Sequence, residues 1–247
     1  MEKNNIVINT LVFLDDLKNG VKQSDLLKSI HSAGIKNAEL RREFIKNFDA
    51  ELNEIKAVSK ELKITLFYSV PDYLYINGAL NVNKIEHYFM EANKMACENI
   101  KLNIGDYNSI SPEDVSIINS LCSKYSIVLT VENDQTKENG RVEKINEFLQ
   151  LAKKLGMKLG CTFDIGNWLW QKQDPIENAN ILKPYVTYIH LKDVVSWDKP
   201  QAVYLDEGVI PWRRILGIFN KDIPVAIEYP CSPDSLVRLK SEIDKIL

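Results

Sequence analysis

Four side chains able to hold a metal ion each close a short apolar run in the second half of the chain. Glu132 ends Ile127-Val128-Leu129-Thr130-Val131-Glu132, and Asp164 ends Cys161-Thr162-Phe163-Asp164. His190 ends Val186-Thr187-Tyr188-Ile189-His190, and Glu228 ends Pro224-Val225-Ala226-Ile227-Glu228. The gaps between them are 32, 26 and 38 residues, about the length of one strand-helix unit each. Placed at the ends of successive parallel strands, two glutamates, an aspartate and a histidine would converge on one point. Carboxylates with an imidazole suit a divalent metal, and strand C-termini are where parallel α/β folds do chemistry. A single polar strand end is as readily explained by contact with water; four ligand-type residues at four consecutive strands fit that explanation less well.

Strand side chains alternate faces with period two. Glu132, Thr130 and Val128 therefore share one face, as do Asp164 with Thr162 and Glu228 with Ala226. A carboxylate at the last position of a buried strand leaves the core and reaches the mouth. The histidine supply restricts the site, because the chain has only His31, His87 and His190. The first two fall in helices, as surface or satisfied core residues. One imidazole with three carboxylates makes an oxygen-rich site for one divalent ion, suited to Mn²⁺, Mg²⁺ or Co²⁺ at least as well as Zn²⁺.

The elements that must position these residues alternate along the chain. Strands are predicted at Ile6–Phe13, Lys36–Leu40, Ile64–Val70 (closed by Pro71), Asn99–Ile104, Ser126–Val131, Lys158–Phe163, Val186–Leu191 and Ile223–Ile227. Helices are predicted from a Ser24 cap to about Ala33 with Gly34 as its stop, from Asp49 to about Leu62, and from Asn83 to Ala96. Ser111-Pro112-Glu113-Asp114 opens another that runs to about Lys124: a cap, a proline at the first position, and acids at the positive end of the dipole. The rest are Val142–Leu155 stopped by Gly156, Pro175–Leu182, Pro211–Phe219 and Ser232–Ile246. Eight strand-helix units without a linker or composition break predict a single (β/α)8 TIM barrel domain over residues 1–247, with its active site at the C-terminal ends of the strands. An open doubly wound sheet is the rival, but no G-x-G-x-x-G follows the first strand and no P-loop occurs.

Bulk properties agree. A chain of 247 residues matches one barrel, and 45% hydrophobic residues suffice for a large core. The net charge of −3 and a pI near 5.8 offer no basic field for duplex DNA. Cys97, Cys122, Cys161 and Cys231 are widely spaced and read as free, buried thiols in a reducing compartment. Lys3 precedes an apolar stretch from Ile6 to Leu14, but Asn9 and Thr10 interrupt it and no small-residue cleavage site follows, so a first strand is expected rather than a signal peptide. No run of about 18 apolar residues exists to span a membrane, and a cytoplasmic location is expected.

The blocks Glu132-Asn133, Asp164-Ile165-Gly166-Asn167, His190-Leu191-Lys192-Asp193 and Ala226-Ile227-Glu228-Tyr229 resemble the signature segments of the sugar phosphate isomerase/epimerase family, which has the xylose isomerase-like TIM barrel. Ala38-Glu39-Leu40-Arg41 resembles its second-strand block, and Asp206-Glu207-Gly208 its stretch before the last helix-strand unit. The resemblance spans nearly the whole chain, and His-Leu-Lys-Asp is its most specific piece. It implies Glu132, Asp164, His190 and Glu228 as metal ligands, with Glu132 and Glu228 also the acid/base pair of ketose epimerisation. Two carboxylates flanking a ketose can take a proton from one face of a carbon and return it to the other, while the metal stabilises the enediolate. Lys192, Asn167, Glu39, Trp168 and Glu207 are the candidates for binding substrate. The sequence departs from ketose 3-epimerases where Asn167 replaces a common histidine, where Ser196-Trp197 stands in place of an arginine, and where Tyr68-Ser69-Val70-Pro71 lacks a third-strand histidine.

Several side chains admit two readings. Glu39 could bind a substrate hydroxyl or pair with Arg41 or Arg42. Arg41-Arg42 could hold an anionic group such as phosphate or be a solvated charge pair. Lys192, two residues after His190, shares its inward face; Asp193 then points away, toward capping or loop hydrogen bonds. Asn167 could orient substrate or cap a turn. Trp168, Trp170 and Trp197 could form a wall for the C–H faces of a sugar or could pack loops. Gly140 marks a turn.

The reading reached is a divalent-metal-dependent isomerase or epimerase of a sugar, sugar phosphate or polyol derivative, its partner a small carbohydrate rather than nucleic acid or membrane. An inosose-type dehydratase would use the same metal. A degenerate barrel that binds a carbohydrate without turnover is the alternative. An apurinic-endonuclease-like hydrolase needs more histidines than the chain supplies.

Overall fold

In the computed structural model, which describes residues 2–247, eight parallel strands close on themselves. They are β1 (Ile6–Asn9), β2 (Asn37–Arg41), β3 (Thr65–Leu80), β4 (Cys97–Tyr107), β5 (Val128–Glu132), β6 (Gly160–Asp164), β7 (Val186–Leu191) and β8 (Val225–Ile227). Around the ring each strand pairs with its sequence neighbours, and β8 pairs with β1 through Ile6 opposite Val225. The main helices between them are α1 (Gln23–Ser32), α2 (Phe48–Leu62), α3 (Val82–Met95), α4 (Pro112–Tyr125), α5 (Val142–Lys154), α6 (Pro175–Leu182), α7 (Trp212–Leu216) and α8 (Ser235–Ile246). This is the predicted (β/α)8 barrel.

The strands are buried on both faces, as an all-parallel barrel requires. Outward residues such as Ile100, Leu102, Leu129 and Val131 pack under the helices in the main core. Inside the barrel, Val7, Phe67, Tyr188 and Ala226 form a separate apolar plug, with the Phe67 and Tyr188 rings stacked at 4.9 Å. The Tyr188 ring stands edge-on to His190 with centroids 5.0 Å apart, so the plug is the floor of the mouth. All four cysteines are free and buried, as expected. Among the described residues, no helix is long and apolar enough to cross a membrane.

Local chemistry explains the element ends. Ser111 Oγ accepts from Asp114 N at 3.1 Å while Asp114 Oδ2 accepts from Ser111 N at 2.9 Å, a reciprocal cap with Pro112 in the first turn of α4. Four expected boundaries are corrected. The first strand stops at Asn9, because Asn9 Oδ1 accepts from Leu11 N at 2.9 Å and turns Thr10–Phe13 into a 3-10 segment. Ser24 is not a cap: α1 begins one residue earlier and Ser24 is buried within it. The third strand does not end at Pro71. Pairing with β4 lapses between Ser69 and Tyr73, where the missing proline N–H does no harm, and then resumes. Beyond it, Asn77 and Gly78 both have positive φ (53° and 78°) and fold the strand back on itself, with Asn81 N donating to Leu74 O at 2.9 Å. Asn-Gly is the pair that tolerates such a tight turn. The last helix starts at Ser235 rather than Ser232.

Candidate metal and active site

β5 ends at Glu132, β6 at Asp164, and β7 carries His190 one residue before its end; Glu228 follows β8 directly. Asp164 lies opposite His190 in the β6–β7 ladder, and His190 opposite Ala226 in the β7–β8 ladder. The four side chains therefore rise into one layer at the mouth, and all four are buried. Each offers a ligand atom within 4.8 Å of the others. His190 Nδ1 lies 2.6 Å from Glu132 Oε1 and 3.2 Å from Glu228 Oε2.

The second atom of each group is held by a different partner. Glu132 Oε2 accepts an ion pair from Lys101 Nζ at 2.6 Å. His190 Nε2 lies 2.9 Å from a Glu39 oxygen. Glu228 Oε1 accepts from Arg41 at 2.8 Å. Asp164 Oδ1 accepts from the backbone N–H groups of Gly166 and Asn167, each at 2.9 Å. Asp164 Oδ2 is buried with no hydrogen bond; the Lys192 ammonium lies 2.7 Å away as an ion-pair contact and also reaches Glu228 Oε2 at 2.9 Å. Three carboxylates and an imidazole with one atom anchored and the other turned inward have the pattern of a metal site with its supporting shell. The donor set fits one divalent ion, with Glu132, Asp164, His190 and Glu228 as the residues that would hold it.

Charge coupling is strong in this buried layer. Burial opposes ionisation of Glu132, but Lys101 and His190 outweigh it and hold its carboxyl down at about 2. Glu228 is likewise held well below the carboxylate range, against burial, by His190 and Lys192. Asp164 behaves oppositely: burial, with Glu228 and Glu132 as repelling neighbours, pushes it up to about 7 despite Lys192. Burial disfavours a charged His190, but Glu228, Glu39 and Glu132 raise it well above the ordinary imidazole range.

Above this layer opens a cleft of about 390 Å³ whose lining includes Arg41, Lys101, Glu132, Asn167, Lys192 and Glu228. Asn167 is at the wall, with its amide N–H donating to Asn133 O at 3.0 Å and its oxygen accepting from Gln135 at 3.1 Å. Glu39 pairs with neither Arg41 nor Arg42; Asn9 Nδ2 donates to its Oε2 at 2.7 Å, and His190 Nε2 lies 2.9 Å from Oε2 and 3.1 Å from Oε1. The solvated-pair reading of Arg41-Arg42 is corrected. Arg41 binds Glu228 and Glu43, and Arg42 binds the buried Glu91 on α3. Trp168 does not form a sugar wall: it is 0% exposed, packed in the main core against Phe163 at 5.4 Å. Its loop returns as a 3-10 turn that buries the indole behind β6. Glu207 is exposed on the loop after Tyr204 and is absent from the cleft lining. Asp193 does have the loop role expected of it, accepting from the N–H groups of Val194, Asp206, Gly208 and Ile210. His31 is exposed and His87 is a surface residue paired with Glu91.

The sequence expectations did not include Asn9, which holds Glu39, Lys101, which pairs with Glu132, or Asn103, which lines the cleft. A signal for the last two was present. In β4, Asn99, Lys101 and Asn103 alternate with Ile100, Leu102 and Ile104, and a strand buried on both faces can turn such a polar series only toward the barrel interior.

The family description xylose isomerase-like TIM barrel matches residues 105–245. The uncharacterized protein YihM of Escherichia coli (strain K12) is 23% identical over 120 residues, covering 46% of this chain and 35% of that protein; the match thus spans about a third of that relative's length. Among solved structures, the probable 3-DHS dehydratase AsbF from Bacillus anthracis superposes with a TM-score of 0.74 at 16% identity, covering 98% of each chain. L-ribulose 3-epimerase superposes with a TM-score of 0.71 at 10% identity, covering 98% of this chain and 92% of its own. At these identities the likeness is one of fold.

Proposed function

The chain belongs to the xylose isomerase-like TIM barrel family, and from that premise we propose that it is a divalent-metal-dependent isomerase or epimerase of a sugar, sugar phosphate or polyol derivative. The observation that carries this reading is the pair Glu132 and Glu228. Both carboxylates are buried, both line the cleft, and both face the single point marked by His190 Nδ1. A divalent ion bound there would polarise the substrate carbonyl and make the adjacent C–H acidic. Glu132 and Glu228 are held ionised by their cationic neighbours, so each starts as a base and can receive the proton that leaves carbon. Lys192 and Asn167 sit at the wall where substrate hydroxyls would be oriented. The apolar floor of Phe67 and Tyr188 closes the barrel below the reacting atoms and keeps water from that side.

Dehydration of a related polyol is a second reading, favoured by the buried Lys101 ammonium beside Glu132. After proton removal, a carboxylic acid bridged to an ammonium is a suitable donor to a departing hydroxyl. Incubating the Mn²⁺-loaded protein with a panel of ketoses, ketose phosphates and inososes in D₂O separates the cases. Deuterium entering the carbon beside the carbonyl with the hydroxyls retained supports isomerase or epimerase chemistry, and loss of water supports a dehydratase. Exchange undiminished in Glu228→Gln would remove that residue from the acid/base pair.

A further inference from the structure

The Lys192 ammonium sits against Asp164 Oδ2 at 2.7 Å and Glu228 Oε2 at 2.9 Å. Of the polar partners around the four donor residues it is the one that takes inward-facing oxygens. Lys101, Glu39, Arg41 and the backbone amides of Gly166 and Asn167 all hold the outer atoms. We propose that Lys192 is an exchangeable internal cation: it fills the metal position in the metal-free protein and, once an ion displaces it, becomes the cation that binds substrate oxygens in the cleft. The inference rests on the metal-site reading above. An ion bound through Asp164 Oδ2 and Glu228 Oε2 claims the same two oxygens, and two cations cannot share them without strong repulsion.

The geometry allows the head of the side chain to move while its stem stays fixed. Lys192 lies across the peptide of Gly166, where a Cβ would come within 2.5 Å of Lys192 Cγ and 3.0 Å of its Cδ. Glycine is therefore what lets the stem pass so close. Lys192 is among the residues that line the open cleft, so rotation of its terminal bonds would carry Nζ from the carboxylates toward a ligand there. Metal loading and completion of the substrate site then become one event. Binding is then ordered, metal before substrate, because the ammonium is free to bind substrate oxygens only after it leaves Asp164 and Glu228.

The test uses the full chain stripped by chelator and titrated with Mn²⁺ by calorimetry. Lys192→Met and Lys192→Gln should bind Mn²⁺ at least ~10-fold more tightly than wild type, since a competitor worth a buried charge pair is gone. Lys192→Arg should remain weak. Circular dichroism melting checks folding: the neutral variants should melt lower than wild type without metal and no lower with it. Competitive amine acylation read by mass spectrometry supplies a second readout in the unmutated chain. Lys192 should label faster with Mn²⁺ bound, while Lys101, which keeps its Glu132 partner, should be unchanged. Equal or weaker Mn²⁺ binding by both neutral variants, or metal-independent labelling of Lys192, would overturn the exchange and leave the metal site standing. Failure of wild type and variants alike to bind Mn²⁺, Mg²⁺, Co²⁺ or Zn²⁺ would overturn both.

Discussion

Glu39 holds His190 by its far nitrogen: the imidazole Nε2 is 2.9 Å from a Glu39 oxygen while Nδ1 faces Glu132 and Glu228. A carboxylate on the outer nitrogen keeps the proton there and leaves the inner one free to ligate. Glu39→Gln should therefore lower metal affinity by about 10- to 100-fold with the fold retained, measured by competition with a chromogenic chelator. Unchanged metal affinity with a raised KM would instead make Glu39 a substrate contact.

Metal affinity should climb with pH. Asp164 is pushed up to about 7 by burial and its acidic neighbours, so below that pH a proton competes for the oxygen that the ion needs. His190, raised by Glu228, Glu39 and Glu132, adds a second proton to be displaced. Calorimetry in buffers of different ionisation enthalpy should show proton release on metal binding, with affinity rising through neutrality. The metal-free protein should show the reverse trend from the Asp164 contribution. A carboxyl whose folded value lies above its unfolded one stabilises most at low pH, and that contribution is lost as pH rises through about 7. Affinity independent of pH between 5 and 8 would count against a ligand role for Asp164.

Lys101 and Glu132 form an ion pair in which both side chains are about 5% exposed. Removing one member of such a pair leaves a buried charge uncompensated, a loss of roughly 3–5 kcal/mol. Lys101→Met should lose stability on that scale in urea unfolding and should raise the Glu132 carboxyl from its depressed value, moving the acid limb of any activity profile upward. A variant as stable as wild type would show that water reaches the pair.

Trp168→Ala should cost about 3–5 kcal/mol of stability, because the indole is wholly within the core against Phe163. The milder Trp168→Phe, if it folds, should bind carbohydrate as the unaltered chain does. A selective loss of ligand affinity in that variant would return the ring to the binding surface.

The strands and the four donor residues were legible in the sequence because their signals are local. An apolar run ending in a ligand-type residue fixes both the strand and the height of its last side chain. The partners of those donors were harder to see. Glu39 meets His190 across 151 residues of chain and Arg41 meets Glu228 across 187, and no window of sequence contains both members. Lys101 was hidden for another reason. A lysine in mid-strand has the same residue type as a solvent-facing one, and only its period-two series with Asn99 and Asn103 marks it as inward. The places of Trp168 and Glu207 depend on loop direction, which residue type does not encode: a loop that doubles back under the barrel wall buries its indole, and one that runs outward exposes its carboxylate.

The seam where β8 meets β1 divides the work of the site between two halves of one polypeptide. Strands β5 to β8 bring every donor residue, Glu132, Asp164, His190 and Glu228, whereas β1, β2 and β4 bring Asn9, Glu39, Arg41 and Lys101, which aim three of those donors. Glu39 and Arg41 come near His190 and Glu228 because the ring is shut. The later half alone would own a complete set of ligands but would lack the partners that aim Glu132, His190 and Glu228. Tight metal capture would then report that the two halves have joined, so a colorimetric metal assay would double as an assay of barrel assembly.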